Sequence, residues 1–301
     1  MAAELMSLAV REFGITIDSD AGRPADAFSG SGVHPARTGG GRPAYLKVTP
    51  AGLGAGALDG ARRELRFYRE LAAGVPVRTP PLLDALETGL GVALLLGAAG
   101  DQVSAGAWSD RAWSALGHDL AALHGVPVDG QAWRRPDALL DVMSAPLPGT
   151  ILGFWGDVLP GLPGLLAARA GLSAELASQP AVFAHGDCHT GNIVHGADGL
   201  VFCDWQSAGA GRATSDLAFL SVRAAPAGVA VPPAVVTAYL SRRGGDRERL
   251  ERAMVLEELA VFVFLWPPYA AYNSPTAIAR VRERTRHLAA KWHALTRHDG
   301  G

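Results

Sequence analysis

The sequence predicts an α+β protein of two lobes, a small antiparallel sheet with one helix followed by a larger, mainly helical part. Three observations predict it. Short apolar runs separated by glycine clusters fill the first hundred residues. After Gly97-Ala98-Ala99-Gly100, segments with the helical period of apolar residues take over. The 301 residues are 49% hydrophobic and 19% charged, enough to bury a substantial core. The expected division is residues 1–97 for the sheet lobe and 98–301 for the helical lobe.

The elements follow in order. Residues 3–13 have the pattern of a short helix. Strands are predicted over 25–29, 33–38 and 44–48, separated by Gly30-Ser31-Gly32 and Gly39-Gly40-Gly41, as an antiparallel meander. Residues 50–60 read as a glycine-rich loop. The helix predicted over 61–73 places Leu65, Tyr68 and Leu71 on one face. Further strands are expected over 80–87 and 92–96. Beyond residue 100, helices are predicted over 108–124, 160–178, 232–241, 247–266 and 276–295. The strands expected there are 182–184, 193–195 and 200–203, the last two joined by the hairpin signal Asp198-Gly199.

Composition narrows the function. A net charge of −2 and a pI near 6.5 argue against a chain that lives on non-specific nucleic-acid contacts. The longest strongly apolar run, 259–266, falls far short of the ~20 residues of a membrane span. The N-terminus carries Glu4 and lacks a cationic start with a small-residue cleavage site, so no signal peptide is expected. Two cysteines, Cys188 and Cys203, cannot build a disulfide framework and suit a reducing compartment. The expectation is a soluble cytoplasmic protein. Its cations are divided unevenly, 25 arginines against Lys47 and Lys291. A lysine that persists under such a bias marks a position where a compact ammonium does what a planar guanidinium cannot.

Residues 183–220 carry the chemistry. Their core is His185-Gly186-Asp187-x-His189-x-x-Asn192, then a hairpin, then Asp204 at the end of its second strand. Asp187, Asn192 and Asp204 offer hard oxygen donors, which suit Mg²⁺ when substrate phosphates complete its shell. A carboxylate five residues before an amide can take a proton from an alcohol while the amide holds metal. That is the logic of phosphoryl transfer, in which positioning and charge neutralisation do most of the work. Two other readings of the segment remain. His185-x-Asp187-x-His189 could ligate a transition metal in a hydrolase, although the other histidines form no cluster around it. A nucleotide-binding module that transfers nothing would keep the same shape. Gly52-x-Gly54-x-x-Ala57 fits a degenerate dinucleotide fingerprint but follows a meander strand, and no P-loop exists, because Leu46 precedes Lys47.

The segment resembles the catalytic and metal-binding loops of the aminoglycoside phosphotransferase and choline kinase group, relatives of the protein kinases. Their pattern is H-G-D-x-H-x-x-N, followed by a metal-binding Asp in an I-D-[FW] context. Cys188 and Thr190 stand where that group has a hydrophobic residue and a proline. The resemblance covers residues 25–220 and implies a bilobal protein-kinase-like fold that uses ATP and Mg²⁺. It makes Asp187 the catalytic base, Asn192 and Asp204 the Mg²⁺ ligands, His185 a brace of the loop, and Asp216 its buttress. It places Lys47 on ATP phosphates with Glu64 as its partner, and gives Gly30, Ser31 and Gly32 to the phosphates. Leu94 and Leu96 would sit in a hinge offering backbone groups to adenine. The implied acceptor is a small hydroxylated molecule carrying positive charge: an aminoglycoside-type or other cationic antibiotic, an amino sugar, or choline. Glu257 and Glu258 lie amid apolar residues of a predicted helix and are candidates for binding that charge. Trp266, Tyr269 and Tyr272 nearby could flank an ammonium, but aromatic core packing is the expected use.

Overall fold

The computed structural model describes residues 2–18, 32–127 and 129–298. The chain forms two compact units, Met1–Gln102 with Asn192–Ala208, and Val103–Gly191 with Gly209–Gly301.

In the first unit, helix α1 (Ala2–Phe13) precedes strands β1 (Thr16–Ile17), β2 (Gly32–Arg37) and β3 (Pro43–Pro50). Helix α2 (Ala55–Glu70) and strands β4 (Leu82–Thr88), β5 (Gly91–Gly97) and β6 (Asp101–Gln102) follow. Five strands form one antiparallel sheet in the order β1-β2-β3-β5-β4. Alternation on β3 and β5 sends Leu46, Val48, Ala93 and Leu95 to one face, where Leu5 and Ala9 of α1 cover them. Lys47 and Thr49 point the other way and are buried too. At the β4–β5 turn Gly91 has φ 138°, and a Cβ there would collide with the Thr49 carbonyl, so only glycine fits. The predicted strand 25–29, with Gly30 and Ser31, lies outside the described residues. The loop predicted over 50–60 is instead a 3-10 turn, Ala51–Leu53, and the opening turns of α2. Of these glycines Gly60 makes a close approach, since a Cβ on it would lie 3.3 Å from Oε1 of Gln206, whereas one on Gly54 or Gly56 would meet open space.

The second unit begins with α3 (Asp110–Leu123), α4 (Ala138–Ser144), α5 (Pro148–Trp155), α6 (Leu162–Ala177) and strand β7 (Ala181–Ala184). The chain then returns to the first unit for the hairpin β8 (Ile193–Gly196) and β9 (Gly199–Phe202). The sequence boundary at 97/98 assigns this hairpin to the helical lobe, but its bonds run elsewhere. β8 pairs with β6, the Phe202 N–H donates to the Arg78 carbonyl at 2.8 Å, and Trp205 stacks on Phe67 of α2 at 3.9 Å. The second unit resumes with β10 (Gly209–Arg212), α7 (Ala213–Ala224), α8 (Ala234–Arg243), α9 (Arg247–Ala260) and α10 (Pro275–His298). Its core gathers Trp155, Leu176, Leu256, Phe262 and Val281 from α5, α6, α9, the segment after it, and α10.

The single helix predicted over 247–266 ends as an α-helix at Ala260 and continues as a π-helical turn, Val261–Leu265. The indole N–H of Trp155 donates to the Phe262 carbonyl in that turn at 3.2 Å. Pro267 and Pro268 then stop the helix, since neither has an N–H to continue it. No single helix among the described residues is long and apolar enough to cross a membrane. The bent pair α4–α5 meets that test together, yet Leu139, Met143, Ile151 and Trp155 of the pair are buried in the core.

Candidate active site

In the first unit the site is built around Lys47. On β3 its ammonium lies 2.7 Å from Oε2 of Glu64, on α2, and 2.8 Å from Oδ1 of Asp204, just after β9. Glu64 is wholly buried, and its other oxygen accepts the Trp205 N–H at 3.3 Å. One carboxylate therefore ties the lysine strand, α2 and the backbone after Asp204 together. Residues Gly60, Glu64 and Tyr68 share one face of α2 at four-residue spacing. Burial disfavours the Lys47 ammonium, but Glu64 and Asp204 outweigh it and hold its pKa above the usual lysine range. For Glu64 burial dominates and raises its pKa, with Lys47 opposing and Asp204 adding repulsion. Burial and the same carboxylates push the Cys203 thiol up to about 12, so it is no nucleophile at neutral pH. Asp204 has φ 62°, and among the described residues it alone holds a positive φ without being glycine. Aspartate tolerates this left-handed conformation better than most residues.

In the second unit the loop after β7 carries Asp187. Its anchor is Asp216, in the first turn of α7 and fully buried. The carboxylate accepts the His185 N–H at 2.7 Å and the Gly186 N–H at 2.8 Å. His124 Nε2 lies 3.1 Å from it, and His124 Nδ1 lies 3.0 Å from the Tyr239 hydroxyl. Burial would raise the pKa of Asp216, but the hydrogen bond and charge of His124, with His185 and the Gly186 N–H, leave it below the usual range. His185 is buried and its Nδ1 accepts the Asp187 N–H at 3.3 Å; this is a bracing geometry. His189 Nδ1 accepts the Gly191 N–H at 3.0 Å, and its Nε2 lies 3.8 Å from Asp187 Oδ1. The Asp187 side chain is 38% exposed.

Asp216→Ala leaves the buried His185 N–H and the part-buried Gly186 N–H without this acceptor and should lower the unfolding free energy by about 3 kcal/mol in urea at pH 7. A loss below about 1 kcal/mol would mean that the carboxylate does not hold the loop. The folded pKa of Asp216 is depressed, so its contribution is present above the unfolded value and disappears as pH falls through the folded one.

Several expected residues stand elsewhere than the sequence suggested. Glu257 is buried, and Arg212 grips both its oxygens, at 2.9 and 2.7 Å. Glu258 is buried and held at both oxygens by Arg284, each at 2.7 Å. Both acids are thus spent on arginines and do not present free charge to a cationic ligand. Trp266 is buried, while Tyr269 and Tyr272 are exposed. Leu94 pairs with Lys47 on one side and Ala85 on the other, and Leu96 with Tyr45 and Leu82. A strand flanked on both sides has its backbone groups committed to the ladder, so neither leucine offers them to a base. The bonding runs on through the N–H groups of Gly97 to Pro81 and of Ala98 to Pro43. Gly32 opens β2 opposite Val48, and a Cβ on it would collide with the His34 imidazole. His124 and Tyr239, which complete the support of Asp216, had no distinguishing mark in the sequence beyond their place on apolar helices.

Among the described residues no three His, Cys, Asp or Glu side chains gather as a metal cage. The donor set that remains, the Asn192 amide and the Asp204 carboxylate, consists of hard oxygens. It fits a cation such as Mg²⁺ that takes most of its ligands from phosphate and water.

A sheet unit with a buried lysine–glutamate pair and a helical unit with an anchored acid loop define a kinase-type phosphotransferase. The chain belongs to the phosphotransferase enzyme family, whose model matches residues 31–252, and it is a small-molecule kinase. Solved structures share its fold. The macrolide 2'-phosphotransferase MphH from Brachybacterium faecium is 20% identical, with 95% of this chain and 97% of that one covered and a TM-score of 0.59. The spectinomycin phosphotransferase APH(9)-Ia, solved with ADP and spectinomycin, is 14% identical over 94% of both chains, with a TM-score of 0.60. The GDP and kanamycin complex of APH(2")-IIia is 15% identical, covering 96% of this chain and 99% of that one, with a TM-score of 0.68. No curated protein sequence matches the chain.

Proposed function

We propose that this protein transfers the γ-phosphate of ATP to a hydroxyl group of a small-molecule antibiotic, in the cytoplasm and with Mg²⁺. The observation that carries the reading is the buried Lys47 ammonium, held between Glu64 and Asp204 at 2.7 and 2.8 Å. So enclosed a cation, in a sheet unit whose other face is sealed by α1, supports a role on phosphate over that of a solvated surface lysine. Lys47 holds the donor phosphates and Glu64 keeps its ammonium in place. Asn192 and Asp204 would hold Mg²⁺, which would supply charge neutralisation for those phosphates. Asp187 orients the acceptor hydroxyl and takes its proton, on a loop kept in register by Asp216. The first unit serves the nucleotide and the second the acceptor. Both cysteines are free thiols, as suits a reducing compartment.

The acceptor class rests on the neighbours: proteins of this fold include phosphotransferases of macrolides and of spectinomycin, and one bound to kanamycin. With Glu257 and Glu258 held by arginines, binding of a cationic antibiotic falls to other carboxylates. The test follows labelled γ-phosphate from Mg·ATP into a panel of aminoglycosides, macrolides, spectinomycin, amino sugars and choline. Transfer to an antibiotic is the expected result. Transfer confined to an amino sugar or choline would make this a metabolic kinase, and ATP binding with no transfer to any member would overturn the antibiotic assignment.

A further inference from the structure

The strap of chain from Gly209 to Asp216 is gripped by four charges that neither the nucleotide nor the proton transfer uses. Arg212 ends β10 and caps α7. Its guanidinium makes the two-pronged contact with Glu257 of α9 and a second contact with Asp137, which caps α4. The Thr214 hydroxyl lies 2.8 Å from both Glu257 Oε2 and Gln179 Oε1. Arg135 donates to the Ser215 hydroxyl at 3.2 Å, and lies so close over the strand that a Cβ on Gly211 would collide with it. Arg212 thus faces two carboxylates; burial opposes the charge of Asp137, but the hydrogen bond and charge of Arg212 outweigh it and hold that carboxyl below the usual range. Side-chain exposure is only 7% for Arg212 and 3% for Glu257.

Stability alone does not account for such a cluster, because apolar residues of similar volume often replace a buried ion pair at no cost. Its place along the chain does. β10 runs antiparallel to β7, with Arg212 opposite Ala181 and Gly209 opposite Ala184, the residue before His185. Four residues beyond Arg212, Asp216 takes the N–H groups of His185 and Gly186. The strap therefore meets the loop of Asp187 twice, through the ladder and through Asp216. A guanidinium locked at both prongs fixes the strap in register more sharply than apolar packing can. We infer that the Arg212–Glu257–Asp137–Arg135 cluster is the positioning device for the loop that carries Asp187. The inference rests on the reading of Asp187 as the base, and Arg212 and Glu257 act through the strap without touching substrate.

The double variant Arg212→Met/Glu257→Met removes one charge of each sign, and Asp137, with 26% of its side chain exposed, stays hydrated. Hydrogen exchange of the intact chain is followed beside transfer from Mg·ATP to the antibiotic panel. We expect exchange to speed up in the peptide spanning 183–191 while the β3–β5 region keeps its protection. The kcat should fall about 10- to 100-fold at unchanged KM for Mg·ATP, as a small misplacement of a reacting group would produce. Unchanged exchange in that peptide, or wild-type kcat, would overturn the inference, as would a loss of protection spread evenly over the molecule. Thr214→Val, which removes a single hydroxyl from Glu257 at nearly constant volume, covers the case in which the double variant fails to fold. It should give the same local exchange change and a several-fold drop in kcat; neither change would again refute the cluster's role. Asp187→Asn in the same assay separates the two readings. Full transfer by that variant would remove Asp187 as the base, whereas a silent Asp187→Asn beside a fully active double variant would refute the positioning role alone.

Discussion

Asp187→Asn should lose about 10²- to 10⁴-fold in kcat while its KM for Mg·ATP stays within a factor of two or three of the wild type, the range expected when a general base is removed. The geometry permits so clean a result. The loop is held by backbone groups, with the N–H of His185 and of Gly186 on Asp216 and the N–H of Asp187 itself on His185. None of those bonds uses the Asp187 carboxylate, which is 38% exposed and near-isosteric with asparagine. The backbone anchors of the loop should therefore persist, and thermal unfolding of the variant beside the wild type separates a chemical loss from a loss of stability through the carboxylate's own contacts, such as His189 Nε2 at 3.8 Å. Asparagine cannot take the acceptor's proton, but it fills the same volume beside His189. Lys47, Glu64 and Asp204, the residues proposed for the donor, are not altered by the substitution, and KM for Mg·ATP is the readout that checks it. A variant that keeps more than a tenth of the wild-type kcat would mean that another group, or water, carries the proton.

The parts of this molecule that were legible in the sequence are those whose signal is local. Strands with apolar alternation and glycine boundaries, and helices with a clear period, stand where expected, as do β3, β5, β8–β9 and α3. Lys47, Glu64, Asp187 and Asp216 were singled out on spacing and on resemblance, and the structure brings Lys47 to Glu64 and Asp216 to the Asp187 loop. What stayed illegible depends on distant partners. Glu257 and Glu258 look like acids awaiting a ligand, because their arginines come from residues 45 and 26 positions away. Leu94 and Leu96 look like a hinge until a strand is seen on each side of β5. The glycines of 50–60 suggest a loop, since sequence cannot show that Gly60 is small to admit Gln206. The strands β1, β6 and β10 span two to four residues each, too few for an alternation to declare itself. α7 escaped for another reason: its opening turn is spent on the loop of Asp187 and the grip of Arg212, so polar side chains sit where a core helix would show apolar ones.

Lys47→Met should abolish most transfer and also show how its carboxylates are held. For activity the expected loss is about 10²-fold or more in kcat/KM, the scale of losing one charged group aimed at a phosphoryl centre. For stability the consequence depends on pH. Lys47 is the cation facing Glu64, which is completely buried and already has a raised pKa because burial opposes its charge. Without the ammonium, that pKa rises further. A group whose folded pKa lies above its unfolded value favours the fold at low pH and loses that contribution as pH climbs through the folded value. The variant should therefore be destabilised by about 3 to 5 kcal/mol near pH 8, the cost of stranding a buried charge. The gap from wild type should shrink steadily as the solution is acidified toward pH 5, where Glu64 can take up a proton. Urea unfolding at both ends of that range reads the difference. The double variant Lys47→Met/Glu64→Gln removes the stranded charge and should recover much of the stability at pH 8 without recovering transfer. A gap that is the same at pH 5 and pH 8 would mean that Glu64 does not carry the buried charge, and the pair would then lose its place as the fixed point of the donor site. Recovery of stability without activity would instead separate the two duties proposed for Lys47: neutralising a buried carboxylate, which an uncharged pair can make unnecessary, and presenting a positive charge to phosphate, which an uncharged pair cannot replace.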